Sequence, residues 1–566
     1  MKRIVMTIIC AAAMATGLHG ANGTWSATGA GPYELNDSDN WSVLPSSDAI
    51  AFFNSAMDNT LYLTDDFSVN QILFLNQPVR MVLDLGGHTL SVLTNNNHAF
   101  VVNSGSSITL TNGTLNVPNS VRLNINYSGN FGGVRIGNSS LKVVDKGVLQ
   151  TGSLSVGHEF EGYNSATFTD GAQGILGNFT IGYGNACSDN TMLLTDGGTV
   201  VSITAGSTVG NVGTRNALEI KDNAALLSTN VPRLTVGAGT SANDNKMFVH
   251  SGGSFSNIEL FVGNGINNKL IVSNTTVFAR NFFLEGPALG TDCNNQAYIL
   301  GGTIWTNSAS GTSRIFVGDT ASTRGARLYI DGAGTDVTGA DVNVGQKGHQ
   351  NKLYLTTGAV LRATSLSVGS CNGYNVISNS VSENEFIIDK ASAFVSGGIT
   401  VGGTHSTGYS WGVSNAVRVS NNGVLSFAGI NLGNGYDNNG NAYPNRWLAS
   451  YNKFIIESGS SVTNVGSSYI TIGNGGCYNE LIMDNGTFHH TASSDRYFTI
   501  GNQSSSTGNV LRMTDSKIYL SAAPLFIGQY GSSNKVEMTR STIYYPANQH
   551  FRIGNNVGSE GNSLVM

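Results

Sequence analysis

The chain is poor in charge, poor in proline and without a long apolar run beyond its start, and each scarcity excludes something. Charged residues make up 11% of its 566 positions, less than half the ordinary share. Lys, Glu and Arg, which normally cover helix surfaces, are too few for a mainly helical fold. The formal net charge is −6 and no basic cluster appears along the chain. That argues against nucleic-acid binding, because phosphate contacts need concentrated Lys and Arg. After the first residues no stretch is long and apolar enough for a transmembrane helix. No nucleophile elbow, phosphate loop or spaced zinc motif is evident. Disorder is excluded from the other side, since 40% of the residues are hydrophobic.

Glycine and asparagine are abundant instead. There are 72 glycines, and about one residue in nine is asparagine. Both tolerate the left-handed backbone conformations of tight turns, so the composition predicts short strands joined by many turns. At the start, Lys2 and Arg3 precede an apolar run from Ile4 to Ala15. It is too short to span a bilayer and reads as a signal peptide, with cleavage near Gly20 or Ala21.

A repeat fills most of the remainder. Each unit closes on an apolar–any–apolar–Gly pattern, from Ile136-Gly137 through Val156-Gly157, Val262-Gly263 and Val368-Gly369 to Ile553-Gly554. One unit is degenerate: Phe282, Phe283 and Leu284 are followed by Glu285. An asparagine opens a unit at Asn190, Asn216, Asn245, Asn268, Asn351, Asn384, Asn415, Asn452, Asn479, Asn509 and Asn534. A strand with apolar residues at alternate positions follows, so one face is buried and the other is wet. Three short strands in each unit of about 27 residues, with no helical stretch, predict an all-β fold. It is a single long parallel β-helix of about 18 coils, with apolar ladders inside and asparagine amides stacked at equivalent turns. The segment 22–76 breaks the period and carries Trp25, Trp41, Phe52, Phe53 and Pro45. It reads as an N-terminal cap, with the repeat domain covering 77–566. Asn562 begins a further coil at "NSLVM", and a solenoid should not stop on a half-built coil. The native chain is therefore expected to continue past Met566.

The opening "GTWSATGAGPYELNDSDNWS", then "AIAFFNSA" and "SVNQILFLN", with repeats such as "LSVGSCNGYN", resembles secreted bacterial proteins that carry autotransporter-associated β-strand repeats. The resemblance implies a parallel β-helix exported by a Gram-negative-type bacterium, secreted or held at the cell surface. It implies no particular ligand, and no membrane barrel of alternating strands follows.

Chemistry is thinly spread. Asp170, Asp196 and Asp222 recur at one rung position and could together bind calcium. The same position holds Ser251, Asn274 and Asn421, which fits a plain turn. His158, Glu159 and Glu161 share a loop, and His489 and His490, adjacent in a strand, should face opposite ways. Cys187, Cys293, Cys371 and Cys477 share a loop class but lie three or four coils apart, about 14 Å or more at the strand spacing. No disulfide is expected among them. Three successive inter-unit loops are long: "SCNGYNVISNSVSE", "GTHSTGYSWGVS" and "NGYDNNGNAYPNRWLASY". Occupying one phase of consecutive coils, they should project side by side. They carry Tyr374, Tyr409, Trp411, Tyr436, Tyr443, Arg446, Trp447 and Tyr451. Insertions on one face are where repeat proteins place binding function, and aromatic rings among polar groups suit a sugar or a protein partner. The expectation is a non-enzymatic adhesin-like or structural stalk that binds extracellular polysaccharide or a cell-surface protein. The rival is a carbohydrate-active β-helix enzyme, a lyase or hydrolase, for which carboxylates would have to converge in one groove.

Overall fold

The computed structural model describes residues 21–566 except 29–30, 54–56, 75–78, 94–99, 103–105, 118–121, 126–138, 158–161, 288–291, 308–312, 321–322, 371–379, 404–410, 436–448, 467 and 492–495. The chain divides into two compact units, 1–232 and 233–566, and each is a parallel β-solenoid. Together they make about 17 turns of about 27 residues, close to the eighteen expected. Among the described residues the one helical element is a 3-10 turn at Ser38–Asn40.

The coil containing Lys352 shows how sequence becomes rung. In the strand Lys352–Thr356 the side chains of Leu353 and Leu355 are buried, while Lys352, Tyr354 and Thr356 face outward. Leu353 lies over Phe386 and Leu355 over Ile388 in the next coil. Phe386 and Ile388 lie in turn over Val417 and Val419. Each such side chain contributes about 1.5–3 kcal/mol of burial. Thr357 and Gly358 then turn the chain in left-handed conformations, and a strand Val360–Ser370 follows. Here the second and third strands of the coil run together into one. In the first unit, Gln173–Ile181 is likewise continuous but pairs with two separate strands, Val200–Ile203 and Ser207–Val209. Three strands per coil is thus the pattern, with the last two often fused.

Asparagines weld the coils where each opening strand starts. In the second unit Asn384 donates its backbone N–H (3.1 Å) and its Nδ2 (3.0 Å) to Asn415 Oδ1. Its other amide hydrogen goes to the Gly348 carbonyl at 2.9 Å. Asn415 does the same to Asn452, Asn452 to Asn479, Asn479 to Asn509 and Asn509 to Asn534. In the first unit Asn164, Asn190 and Asn216 form a shorter run of the same kind. All are fully buried, and every polar group of the amide finds a partner, which burial demands. The closing glycines make room for this stack. Gly345 has φ +66°, and a Cβ there would fall 2.0 Å from Asn384 Cγ.

The segment read as a cap holds an aromatic cluster. Trp25 meets Trp41 edge to face at 5.0 Å and stacks on Phe53 at 5.5 Å, and Trp41 Nε1 donates to the Leu35 carbonyl at 2.8 Å. It also carries rungs. Gly23–Thr24 pairs in parallel with Ala51–Phe52, and Ile50–Phe53 pairs with Gln71–Phe74.

The degenerate unit proves to be a paired exchange. Register puts Glu285 where neighbouring coils have a closing glycine, since Leu284 pairs with Val317, which precedes Gly318. It puts Ala326 where they have an opening asparagine, between Asn295 and Asn351. In most coils the closing glycine lies against the asparagine that opens the coil after next, as Gly318 does against Asn351 and Gly345 against Asn384. The corresponding partners here are Glu285 and Ala326. A long side chain thus stands on the glycine side of the pair that has a short side chain on the asparagine side, and it reaches into the turn that leads to Ala326. The Glu285 carboxylate accepts from Asp319 N (3.0 Å), Thr320 N (3.0 Å), Thr320 Oγ1 (3.0 Å) and Thr323 Oγ1 (2.8 Å). Burial raises its pKa to about 7 in spite of these donors.

Candidate functional site

Of the residues singled out in the long loops, Tyr374, Tyr409, Tyr436, Tyr443, Arg446 and Trp447 lie outside the described residues, as does Cys371. Trp411 begins a strand, Trp411–Val413, that pairs in parallel with Ser380–Ser382. Two of the loops therefore return to the solenoid as neighbouring rungs of a small sheet of their own. The roots of the three loops are tied coil to coil. Gln350 N donates to the Ser382 carbonyl (2.9 Å), Glu383 N to Val413 (3.4 Å) and Ser414 N to Ser450 (3.1 Å). Tyr451 closes the third loop and stacks on Tyr478, with ring centroids 5.4 Å apart.

Beneath these roots, at the leading corner of the opening strands, lies a polar groove of about 420 Å³. Asp292, Arg327, Gln350, Lys352, Glu383 and Glu385 line it. Lys352 Nζ sits 2.8 Å from Glu385 Oε2, and that hydrogen bond raises the lysine pKa. Arg418 reaches Glu385 at 3.7 Å and Glu457 at 2.7 Å. Arg324 is 3.2 Å from Asp292 and donates to Gln350 Oε1 at 2.7 Å. Gln350 Nε2 donates onward to Glu383 Oε2 at 2.5 Å. His349, behind this chain, donates to or accepts from Ser382 Oγ at 3.2 Å. Burial, and secondarily Arg324, lowers its pKa, so it is neutral at pH 7.

Two positions on from Arg327 and Lys352, on the same outer face, runs a stack of tyrosines that sequence reading passed over. Tyr298, Tyr329 and Tyr354 hold the third position of consecutive opening strands. Their rings lie face to face at 4.8 and 4.7 Å, with interplanar angles of 6° and 4°. This is simply the strand spacing, so the faces cover one another and the ring edges and hydroxyls face outward. Burial raises the pKa of Tyr298 and Tyr354, which keeps both phenols protonated. The signal was present in "NQAYIL", "ARLYID" and "NKLYLT", where alternation alone puts each tyrosine on the outer face.

The other flagged residues sit apart from this edge. Asp170, Asp196 and Asp222 are left-handed turn residues, with φ of 56°, 72° and 53°. Thr169 Oγ1 donates to Asp196, and Thr195 Oγ1 donates to Asp222 Oδ2 at 3.0 Å. Among the described residues no three His, Cys, Asp or Glu side chains gather as a metal site. His158, Glu159 and Glu161 lie outside the described residues. His489 stacks on Tyr519 at 4.8 Å on the outer face, while His490 points inward and is fully buried. Burial lowers the His490 pKa to about 4. Cys187, Cys293 and Cys477 are buried free thiols.

No protein-family model matches the chain, and no curated protein matches it. Among solved structures, the TibC-catalysed hyper-glycosylated TibA fragment aligns at 12% identity, covering 81% of this chain and 97% of that one, with a TM-score of 0.30.

Proposed function

We propose that the chain is a non-catalytic solenoid of the cell exterior that presents a polysaccharide-binding edge. The observation that carries this reading is the one departure from uniform rungs. Three consecutive coils send out long, aromatic-rich loops at the same phase, and their roots are hydrogen-bonded together above a polar groove. Insertions stacked on one edge of a repeat scaffold are its natural binding surface. The groove's charges favour binding over catalysis. Lys352 is held by Glu385, and Gln350 donates to Glu383, so these side chains are engaged with one another rather than aimed together at one reacting bond. Residues 1–21, read as a signal peptide, support a location where polysaccharides are met.

A screen of purified protein against soluble polysaccharides, with and without calcium, tests the reading. Saturable binding without turnover is expected. Trp411→Ala with Trp447→Ala should weaken it at least about tenfold, the scale of losing central aromatic contacts, with unchanged far-UV spectrum and melting. Undiminished binding by that variant would remove the loops from the site. Depolymerisation of any polymer would replace a binding protein with an enzyme.

A further inference from the structure

The outer face of the opening strands in the second unit carries two parallel stripes. The first outward position of five successive coils holds Lys246, Lys269, Gln296, Arg327 and Lys352, each directly over the next. The third position holds Phe248, Ile271, Tyr298, Tyr329 and Tyr354 in the same register. In sequence the four cations are far apart; winding brings them into one row about 19 Å long at the strand spacing of about 4.8 Å. The row carries no acid until Glu385, in the sixth coil, which takes up Lys352. Beyond Glu385 the pattern changes. Arg418 with Glu457, Lys453 with Glu480, and Arg512 with Glu537 alternate in sign and pair off. Arg327 is half-buried, yet among the described residues neither a carboxylate nor an aromatic face engages its guanidinium. The nearby acids are otherwise occupied: Asp292 by Arg324, and Glu383 by Gln350.

A row of four cations in which only Lys352 is taken up by an acid, on a chain of net charge −6, calls for an anionic partner, and its straightness calls for a linear one. The neighbouring stripe decides which kind. Nucleic-acid single strands are held by bases stacking on open aromatic faces. The three tyrosine faces here are closed against one another at 4.7–4.8 Å. What remains is a line of phenol hydroxyls and ring edges, suited to hydrogen-bonding sugar hydroxyls. Taking polysaccharide as the ligand class, as proposed above, we infer that this double stripe from Lys246 to Lys352 binds a linear anionic polysaccharide along the solenoid axis. Arg327 receives a carboxylate or sulfate in its planar fork, and the hydroxyls of Tyr329 and Tyr354 contact the adjoining sugar.

The experiment measures binding of alginate (a uronate polymer), dextran sulfate, neutral dextran and single-stranded DNA across a salt series. It compares the wild type with Lys269→Gln/Arg327→Gln and with the Trp411→Ala/Trp447→Ala variant. Wild-type protein should bind alginate, dextran sulfate or both, and leave dextran unbound. The charge variant should lose at least about tenfold, and its dependence of log K on log salt should flatten by about two ions. Alginate and dextran sulfate together tell a carboxylate from a sulfate ligand. Wild-type protein that binds no anionic polysaccharide, or a charge variant that binds like wild type with an unchanged far-UV spectrum, overturns the inference. So does DNA binding as tight as alginate binding. If the tryptophan variant alone loses glycan binding, the loop edge stands and the stripe falls. If the charge variant alone loses it, the reverse holds.

Discussion

Replacing Glu285 by Gly and Ala326 by Asn, singly and together, tests whether the odd coil is a compensated exchange. Glu285→Gly strips four donors of their acceptor: Asp319 N, Thr320 N and the two threonine hydroxyls. The hydroxyls lie 2.5 Å apart and can satisfy one another, which leaves two backbone amides orphaned at about 1–3 kcal/mol each. A loss of about 2–6 kcal/mol is expected at pH 5, where the carboxyl is protonated. Ala326→Asn alone forces an amide into a fully buried methyl site beside the glutamate, an overpacking cost of about 1–3 kcal/mol. The double variant recreates the Gly–Asn pair of neighbouring coils and should lie within about 1 kcal/mol of wild type, so the two single penalties would couple by at least about 2 kcal/mol. The proton supplies a second readout. With a folded pKa of about 7 against an ordinary 4.5, Glu285 gives stability that is fully present below pH 4.5 and is lost as pH rises to 7. The loss amounts to about 3 kcal/mol. The double variant should not show it. Solenoids need not unfold in one step, so hydrogen exchange at Asp319 and Thr320 at pH 5 and pH 8 is the assay. Two single-variant penalties that simply add in the double variant would refute the exchange.

His490 should act with opposite sign. Held neutral with a pKa of about 4 against 6.5, it gives stability that is present above pH 6.5 and is lost as pH falls through 4, up to about 3 kcal/mol. His490→Phe should slow acid-induced exchange in its coil, and an unaltered acid limb would count against burial as the cause. Asn452→Ala deprives Asn415 N and Nδ2 of their acceptor and the Gly412 carbonyl of its donor. A local loss of about 2–4 kcal/mol is expected, read as faster exchange in the coils of Asn415 and Asn479 with distant coils unchanged. Gly345→Ala should cost at least as much, because its Cβ would overlap Asn384, whereas Gly358→Ala, whose nearest neighbour would be at 3.5 Å, should cost only the strain of a positive φ. Equal melting of these two variants would refute the packing argument.

The rungs were legible because winding follows local pattern. Alternation in "NKLYLTT" foretells which of Leu353, Tyr354 and Leu355 turns inward, and the recurring asparagine and glycine mark the corners. What stayed hidden depends on stacking across coils. Lys246, Lys269, Arg327 and Lys352 look scattered, and no window along the chain shows a basic cluster; only the pairing register lines them up. Glu285 was visible as an irregularity, but its meaning required Ala326, 41 positions further on. Alternation puts each of Tyr298, Tyr329 and Tyr354 on the outer face, but only the pairing register sets them one over the next.

The asparagine run has a direction. At every step the earlier asparagine donates and the later asparagine accepts, so one end of any such stack offers amide hydrogens and the other offers a lone carbonyl oxygen. Two donor ends, or two acceptor ends, cannot satisfy each other. Buried amides at a like-to-like junction would be left without partners, at about 1–3 kcal/mol for each. The stack is therefore self-complementary only head to tail. It discourages mirror-fashion pairing between copies, while leaving the forward sense of winding as the one in which each newly laid coil completes the coil before it.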